Sequence, residues 1–228
     1  MAVIIEASEL RNKFHVFDDR FHAGELLVGE LLREYKGKKD VYVLAIPAGG
    51  VQVAYVISKK LLLPLDLAVT RKIHVPWNKE AGFGAISWNG EVSLNKPLVA
   101  ALGLTDKDID LCINEEEEII MRRLQLFRGE KPFPSLKNKI VILVDDGLAS
   151  GFSMLTTIKA IQKIRVKEIV VAVPTAPWSS IKLLKPYVDK IVCLNIRSGP
   201  VFAVADAYKL WYDLDDEDVL DLLEKDEQ

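Results

Sequence analysis

Residues 141–153, Val-Ile-Leu-Val-Asp-Asp-Gly-Leu-Ala-Ser-Gly-Phe-Ser, constrain the fold more than any other stretch of the chain. The four aliphatic residues at 141–144 suit a strand buried on both faces, as in a parallel sheet covered by helices. Two adjacent carboxylates, Asp145 and Asp146, follow where such a strand reaches its carboxyl edge. Next come a short loop holding Gly147, Ser150 and Gly151, and an apolar-periodic run at 154–164 that reads as a helix. Strand, acid pair, glycine loop and helix form a phosphate site. Loop amides and a helix N-terminus point N–H groups at an anion, and glycine permits close approach. Ser150 and Ser153 add hydroxyl donors. The acids repel a phosphate, so they face another part of the same ligand, either sugar hydroxyls or a metal. The competing structural account, an acidic Asp-Asp-Gly turn after a buried strand, explains the turn but not the ordered string.

Two other phosphate or nucleophile motifs are excluded by spacing. No Gly-Lys-Ser/Thr occurs, so there is no Walker A loop. Ser150 is not flanked as Gly-x-Ser-x-Gly requires, which argues against a nucleophile elbow.

The 141–153 string resembles the signature of the type I phosphoribosyltransferases: four hydrophobics, two acids and a small-residue loop ending in Thr-Gly-x-Thr. Serines at 150 and 153 replace both threonines and keep the hydroxyls. The resemblance implies an α/β fold with a doubly wound, mainly parallel, Rossmann-like sheet, plus a small hood and a flexible loop. It implies that Asp145 and Asp146 hold the ribose hydroxyls of 5-phosphoribosyl-1-diphosphate (PRPP). Gly147, Leu148, Ala149, Ser150, Gly151 and Ser153 would bind its 5′-phosphate. Mg²⁺ would bridge ribose and diphosphate, with Asp145 and Asp146 as its protein ligands, directly or through water.

The chain of 228 residues suits one domain over 1–228 with its core at about 40–195. A net charge of −3 supplies no basic field for nucleic acid. Cys112 and Cys193 lie far apart in apolar runs, which reads as buried free thiols. Acids at Glu6 and Glu9 come too early for a signal peptide, and no apolar run approaches the ~20 residues of a membrane helix. A cytoplasmic protein without membrane or nucleic-acid partners is expected, forming a homo-oligomer such as a dimer.

In chain order, residues 1–6 suggest an edge strand, and 19–35 an amphipathic helix capped by Asp18 or Asp19. Residues 41–46 read as a buried strand ended by Pro47-Ala48-Gly49-Gly50, and 51–62 as a helix. This second strand–glycine–helix junction corresponds to the diphosphate loop of the resembled family, with Ala48 where a basic residue often stands, so backbone amides carry the contact. Residues 65–70 read as a strand ending in Arg71-Lys72, two cations suited to a diphosphate leaving group. The pair is similar to that of adenine phosphoribosyltransferase.

Residues 73–85 have the composition of a mobile loop, and Asn89-Gly90 marks a hairpin between 85–88 and 91–94. The resembled family places a closing catalytic loop in this interval, which makes His74 and Glu80 secondary candidates. Thr105-Asp-Lys-Asp starts a helix at 105–127 with a capping box, and Glu115–118 reads as its solvated face. Strands follow at 168–174 and 190–195, with a helix at 177–184. Residues 174–177 are placed to line an acceptor pocket. The aromatic tail 197–211, with Phe202, Tyr208 and Trp211, resembles the family's acceptor-covering hood. Acidic residues 215–218 open a terminal helix.

The resemblance implies Mg²⁺-dependent transfer of phosphoribose from PRPP to a small acceptor, such as a nucleobase, with release of diphosphate. Asp145, Asp146, Arg71 and Lys72 would be the catalytic residues. Ala149 stands where the hypoxanthine-guanine branch carries an acid, which disfavours 6-oxopurines. Two further readings are a PRPP-sensing regulator without turnover and a phosphate-ester hydrolase on the same core.

Overall fold

The computed structural model describes residues 2–227, without the side chains of Glu80 and Glu227. The chain runs β1 (Val3–Ile5), α1 (Arg20–Tyr35), β2 (Val41–Ala45), α2 (Gly50–Leu61) and β3 (Leu65–Leu67). Then follow β4 (Thr70–Val75), β5 (Asn78–Ser87), β6 (Val92–Leu94), α3 (Lys96–Leu102) and α4 (Asp106–Arg128). The last part is β7 (Ile140–Val144), α5 (Phe152–Gln162), β8 (Glu168–Pro177), α6 (Trp178–Leu184), β9 (Lys190–Arg197) and α7 (Asp216–Glu227). Six strands form an all-parallel sheet in the order β1-β9-β8-β7-β2-β3, and β4-β5-β6 form a separate antiparallel sheet.

The centre of the main sheet is buried on both faces because β2, β7 and the middles of β8 and β9 are apolar on both sides. Ile142 and Val144 of β7 face a core shared with Leu27 and Leu31 of α1 and Ile57 of α2. Val141 and Leu143 face a second core with Ile158 of α5 and Ile181 of α6. The alternation follows from the two-residue period of a strand. From β2 the chain passes through α2 to β3 at one edge; from β7 it passes through α5 and α6 towards the other. The winding direction reverses between the neighbouring strands β2 and β7. A crevice opens at the carboxyl ends of strands flanking such a reversal, and ligands bind there in open α/β sheets.

Capping signals behave as the sequence predicts. Asp19 caps α1 by accepting from the amide of His22 at 2.8 Å. Thr105 and Asp108 form the reciprocal capping box of α4. Asp215 accepts from the amides of Glu217 and Asp218 at the start of α7.

Several boundaries differ from the sequence reading, each for a tertiary reason. The predicted strand at 65–70 divides: β3 joins the main sheet, whereas Thr70 already belongs to β4. Residues 73–85 are not a loop; they complete β4 and form β5, paired from Thr70↔Ser87 to Val75↔Asn78. Glycines at 82 and 84 suggested mobility, but Gly84 lets Ser93 and Leu94 of β6 approach, with an added Cβ only 2.6 Å from the Ser93 carbonyl. The Asn89-Gly90 turn does join β5 to β6, with Gly90 at φ +79°. Strands β8 and β9 extend to Pro177 and Arg197, pairing beyond the expected ends. The run 115–118 is not uniformly solvated: Glu116 lies on the buried stripe of α4. The short helix α3, capped by Asn95, was not read from the sequence.

Helices α1 and α2 pack closely at Gly24, where an added Cβ would lie 2.9 Å from the Val56 Cβ and 3.0 Å from the Val53 carbonyl oxygen. Gly24→Ala gains up to about 1 kcal/mol of helix propensity. It must also force apart two packed helices, at roughly 1–3 kcal/mol. The clash should win, so a lower urea midpoint with unchanged slope is expected on chemical denaturation.

Candidate active site

The crevice between β2 and β7 is built from two strand ends that touch. The amide of Ile46 donates to the carbonyl of Val144 at 2.9 Å, which carries the β2–β7 pairing to its limit. Beyond it the 47–50 loop, whose Pro47–Ala48 peptide is cis, folds directly against the acid pair. A Cβ on Gly49 would overlap the carboxylate of Asp146, and one on Gly50 would lie 2.7 Å from the Val144 carbonyl oxygen. The two glycines are thus required by backbone packing against the acids, independently of any ligand.

Asp145 and Asp146 are partly buried at the end of β7. Asp145 Oδ1 accepts from the Asp146 amide at 2.9 Å. Asp146 Oδ2 accepts from Nε of Arg20 at 2.8 Å, and Arg20 is almost fully buried. Burial, and then the neighbouring Asp146 charge, push Asp145 well above the ordinary carboxylate range. Burial raises Asp146 as well, and Arg20 opposes that rise. Arg20 also donates from Nη1 to the Tyr212 carbonyl at 2.8 Å, with its guanidinium 4.0 Å from the centre of the Trp211 ring. Tyr208 donates its hydroxyl to the Asp146 carbonyl at 2.5 Å. The aromatic tail therefore packs behind the acid pair.

The loop from Gly147 to Gly151 is braced from three sides. The Leu148 amide donates to the Thr175 carbonyl at 3.0 Å, and Ser180 on α6 donates to the Ala149 carbonyl at 2.6 Å. Val204 covers Gly147, where a Cβ would lie 2.5 Å from it. Gly151 takes φ +81° as the N-cap of α5 and contributes no side-chain cap, while Ser150 Oγ accepts from the Phe152 amide at 3.5 Å. With the amides of Asp146 and Leu148 used internally, the anion donors available here are later ones, towards Gly151–Ser153 at the helix N-terminus. Ala149 and Ser150 are exposed.

The small sheet is fastened to the same helix. Thr70 on β4 and Thr157 on α5 share a 2.8 Å hydrogen bond between buried hydroxyls. Lys72 lies on that face of β4 and lines a cavity of about 180 Å³ with Asp145, Gly147–Met154, Gly82, Gly84 and Val204. Gly82 admits the Lys72 stem, since a Cβ there would overlap it.

Arg71 points to the opposite face of β4, where its Nε donates to Glu116 Oε2 at 2.8 Å. An irregularity in the β4–β5 pairing at Ile73/His74 turns His74 to the same side, with Nδ1 2.6 Å from Glu116 Oε1. The structure thus separates the two cations: Lys72 lines the cavity, whereas Arg71 pairs with a buried carboxylate on α4 that His74 also contacts. The side chain of Glu80 lies outside the described residues. Thr175 and Ala176 are buried, and Thr175 donates to Asn195 at 2.7 Å, so this segment braces the crevice from beneath.

Arg20, Ser180 and Val204 were not singled out in the sequence. Arg20 carried a signal: a cation at the first position of a helix opposes the macrodipole, and local rules are broken at functional sites. Ser180 and Val204 carried none.

A metal would find few protein ligands. No group of three or more His, Cys, Asp or Glu side chains among the described residues is arranged to hold one. Arg20 neutralises one of the two acids. The donor set fits a cation carried chiefly by a bound diphosphate, with Asp145 and Asp146 as partial or water-mediated contacts.

Comparison with known proteins gives the family and the fold. Residues 19–208 match the model of the phosphoribosyl transferase domain, and the chain belongs to that family. It is 33% identical over 210 residues to a Mycobacterium tuberculosis protein, found in strains CDC 1551 and H37Rv, named "Putative phosphoribosyl transferase". The aligned part is 92% of this chain and 47% of that protein, so the chain spans about half the length of the curated relatives it matches. The crystal structure of TT1426 from Thermus thermophilus has a TM-score of 0.73 at 31% identity, covering 92% of this chain and 98% of that one. AQ2163 from Aquifex aeolicus shares the fold at a TM-score of 0.52 and 13% identity, covering 83% of this chain and 78% of its own. No described helix is long and apolar enough to cross a membrane.

The raised Asp145 has a consequence for stability. The folded chain holds a proton there more readily than the unfolded chain does. Stability is therefore lost as pH rises from the ordinary carboxylate range through the raised one. Asp145→Asn keeps the acceptor oxygen without the charge. It should raise Tm at pH 7 by roughly 2–4 °C, about 1 kcal/mol for a chain of this size. The difference should disappear at a pH where Asp145 is protonated in both states, as read by calorimetry.

Proposed function

We propose that the chain transfers the 5-phosphoribosyl group of PRPP to a small acceptor, a nucleobase in the first instance, and releases diphosphate with Mg²⁺ present. The observation carrying this reading is the acid pair at the end of β7, joined to the loop opening α5, with Asp145 and Lys72 lining one cavity. Two carboxylates suit a diol, the N-terminus of α5 suits the 5′-phosphate, and Lys72 suits the leaving group.

The chemistry demands charge stabilisation more than bond-making by the protein. Breaking the anomeric C–O bond leaves positive charge on the ribose and negative charge on diphosphate. Asp145 and Asp146 hold the ribose hydroxyls and offset the positive charge. The α5 N-terminus fixes the 5′-phosphate and thereby aims the anomeric carbon at the acceptor. Lys72 and the amides of Ala48 and Gly49 receive the departing diphosphate, since Pro47 has no N–H and the Gly50 amide donates to the Ile46 carbonyl. Mg²⁺, when bound with PRPP, supplies further neutralisation of that leaving group.

A second reading, a PRPP-binding regulator without turnover, is favoured by one observation. Arg71 is committed to Glu116 and Ala48 brings no charge, so the diphosphate end of the site is poor in cations.

The test is diphosphate release from PRPP and Mg²⁺ with a pooled nucleobase panel. Acceptor-dependent release that Asp146→Asn abolishes is expected. Lys72→Ala should lower kcat by about 10²-fold or more with a smaller change in KM, because its charge acts on the departing group. Tight PRPP binding without release under any acceptor would replace the transferase by the regulator.

A further inference from the structure

We propose that Arg20 is a positioning residue that fixes the Asp146 carboxylate for the ribose and ties it to docking of the C-terminal tail; this rests on the PRPP reading above. The placement of Arg20 opposes what helix physics favours. It is nearly fully buried at the first position of α1, where the dipole repels a cation. Burying a guanidinium costs several kcal/mol unless its donors are used and its charge is balanced. The close contact of α1 with α2 is made further along, at Gly24 against Val53 and Val56, and does not require an arginine at position 20.

What Arg20 does hold is specific. Nε takes Asp146 Oδ2 at 2.8 Å, Nη1 takes the Tyr212 carbonyl at 2.8 Å, and the guanidinium plane lies over Trp211 at 4.0 Å. Gly49 presses on the same carboxylate from the opposite loop. The side chain of Asp146 is thus set from two sides, with Oδ2 occupied. The same carboxylate also interacts with the Asp145 side chain by a hydrogen bond, so fixing Asp146 fixes the geometry of the acid pair. A carboxylate shared with a fixed guanidinium prefers a neutral hydroxyl donor to a second cation, which fits a sugar diol better than a bare metal. Because the Tyr212 carbonyl and Trp211 ring complete the Arg20 site, a displaced tail releases Arg20 and, through it, Asp146.

A double-mutant cycle on binding of Mg²⁺-PRPP tests this. Arg20→Met should weaken binding about tenfold or more, and adding it to Asp146→Asn should cost little beyond Asp146→Asn alone. Arg20→Lys keeps the charge but loses the fork, so partial recovery relative to Arg20→Met is expected. Trp211→Leu should give a smaller loss that is likewise absent in the Asp146→Asn background. If Arg20→Met does not fold, the same cycle with Arg20→Lys and Trp211→Leu decides. Losses that multiply independently, or an Arg20→Met protein that binds as the wild type does, would overturn the role of Arg20 while leaving the PRPP reading intact. Absence of PRPP binding by the folded wild type would overturn both.

Discussion

Everything around the crevice follows from placing two carboxylates side by side on the end of a central, doubly covered strand. Such a pair is costly in a partly buried site, because each acid loses hydration and the two repel. The surroundings answer this with the Arg20 guanidinium on Asp146, the Asp146 amide on Asp145 and glycines in the facing loop. The cost is reduced, not removed: burial first, and the Asp146 charge second, keep Asp145 well above the ordinary carboxylate range.

A second constraint concerns how the accessory sheet meets this centre. The Thr70–Thr157 hydrogen bond joins β4 to α5, the helix that follows the glycine loop. Strand alternation then sends Lys72 towards the cavity and Arg71 away from it. Two neighbouring cations consequently have different partners. Arg71 and His74 both serve Glu116, which explains how one acid of a four-glutamate run is buried while Glu115, Glu117 and Glu118 are solvated.

Much of the architecture was readable from local pattern. The buried strand at 141–144, the glycine loop, the caps at Asp19 and Thr105 and the Asn89-Gly90 turn each carry a short-range physical signal. The failures share a cause. Residues 73–85 contain Pro and Gly, and only pairing across the antiparallel sheet makes them strands. Glu116 looked solvated among other acids, because its burial depends on Arg71 and His74 more than forty residues earlier. At the site, the acid pair and both glycine loops were visible as motifs. Arg20 was not, because the 126 residues between it and Asp146 are closed only by the fold. The sequence string marks where the crevice lies; the side chains that hold that string come from elsewhere in the chain.

The most direct test of the account is a crystal structure of the chain with PRPP and Mg²⁺. The account predicts ribose hydroxyls within hydrogen-bond distance of Asp145 and Asp146, the 5′-phosphate on the N-terminus of α5, and the diphosphate between Lys72 and the 47–50 loop. It also predicts that Arg20 still holds Asp146 Oδ2. PRPP bound elsewhere, or a ribose that leaves both carboxylates without contact, would contradict it.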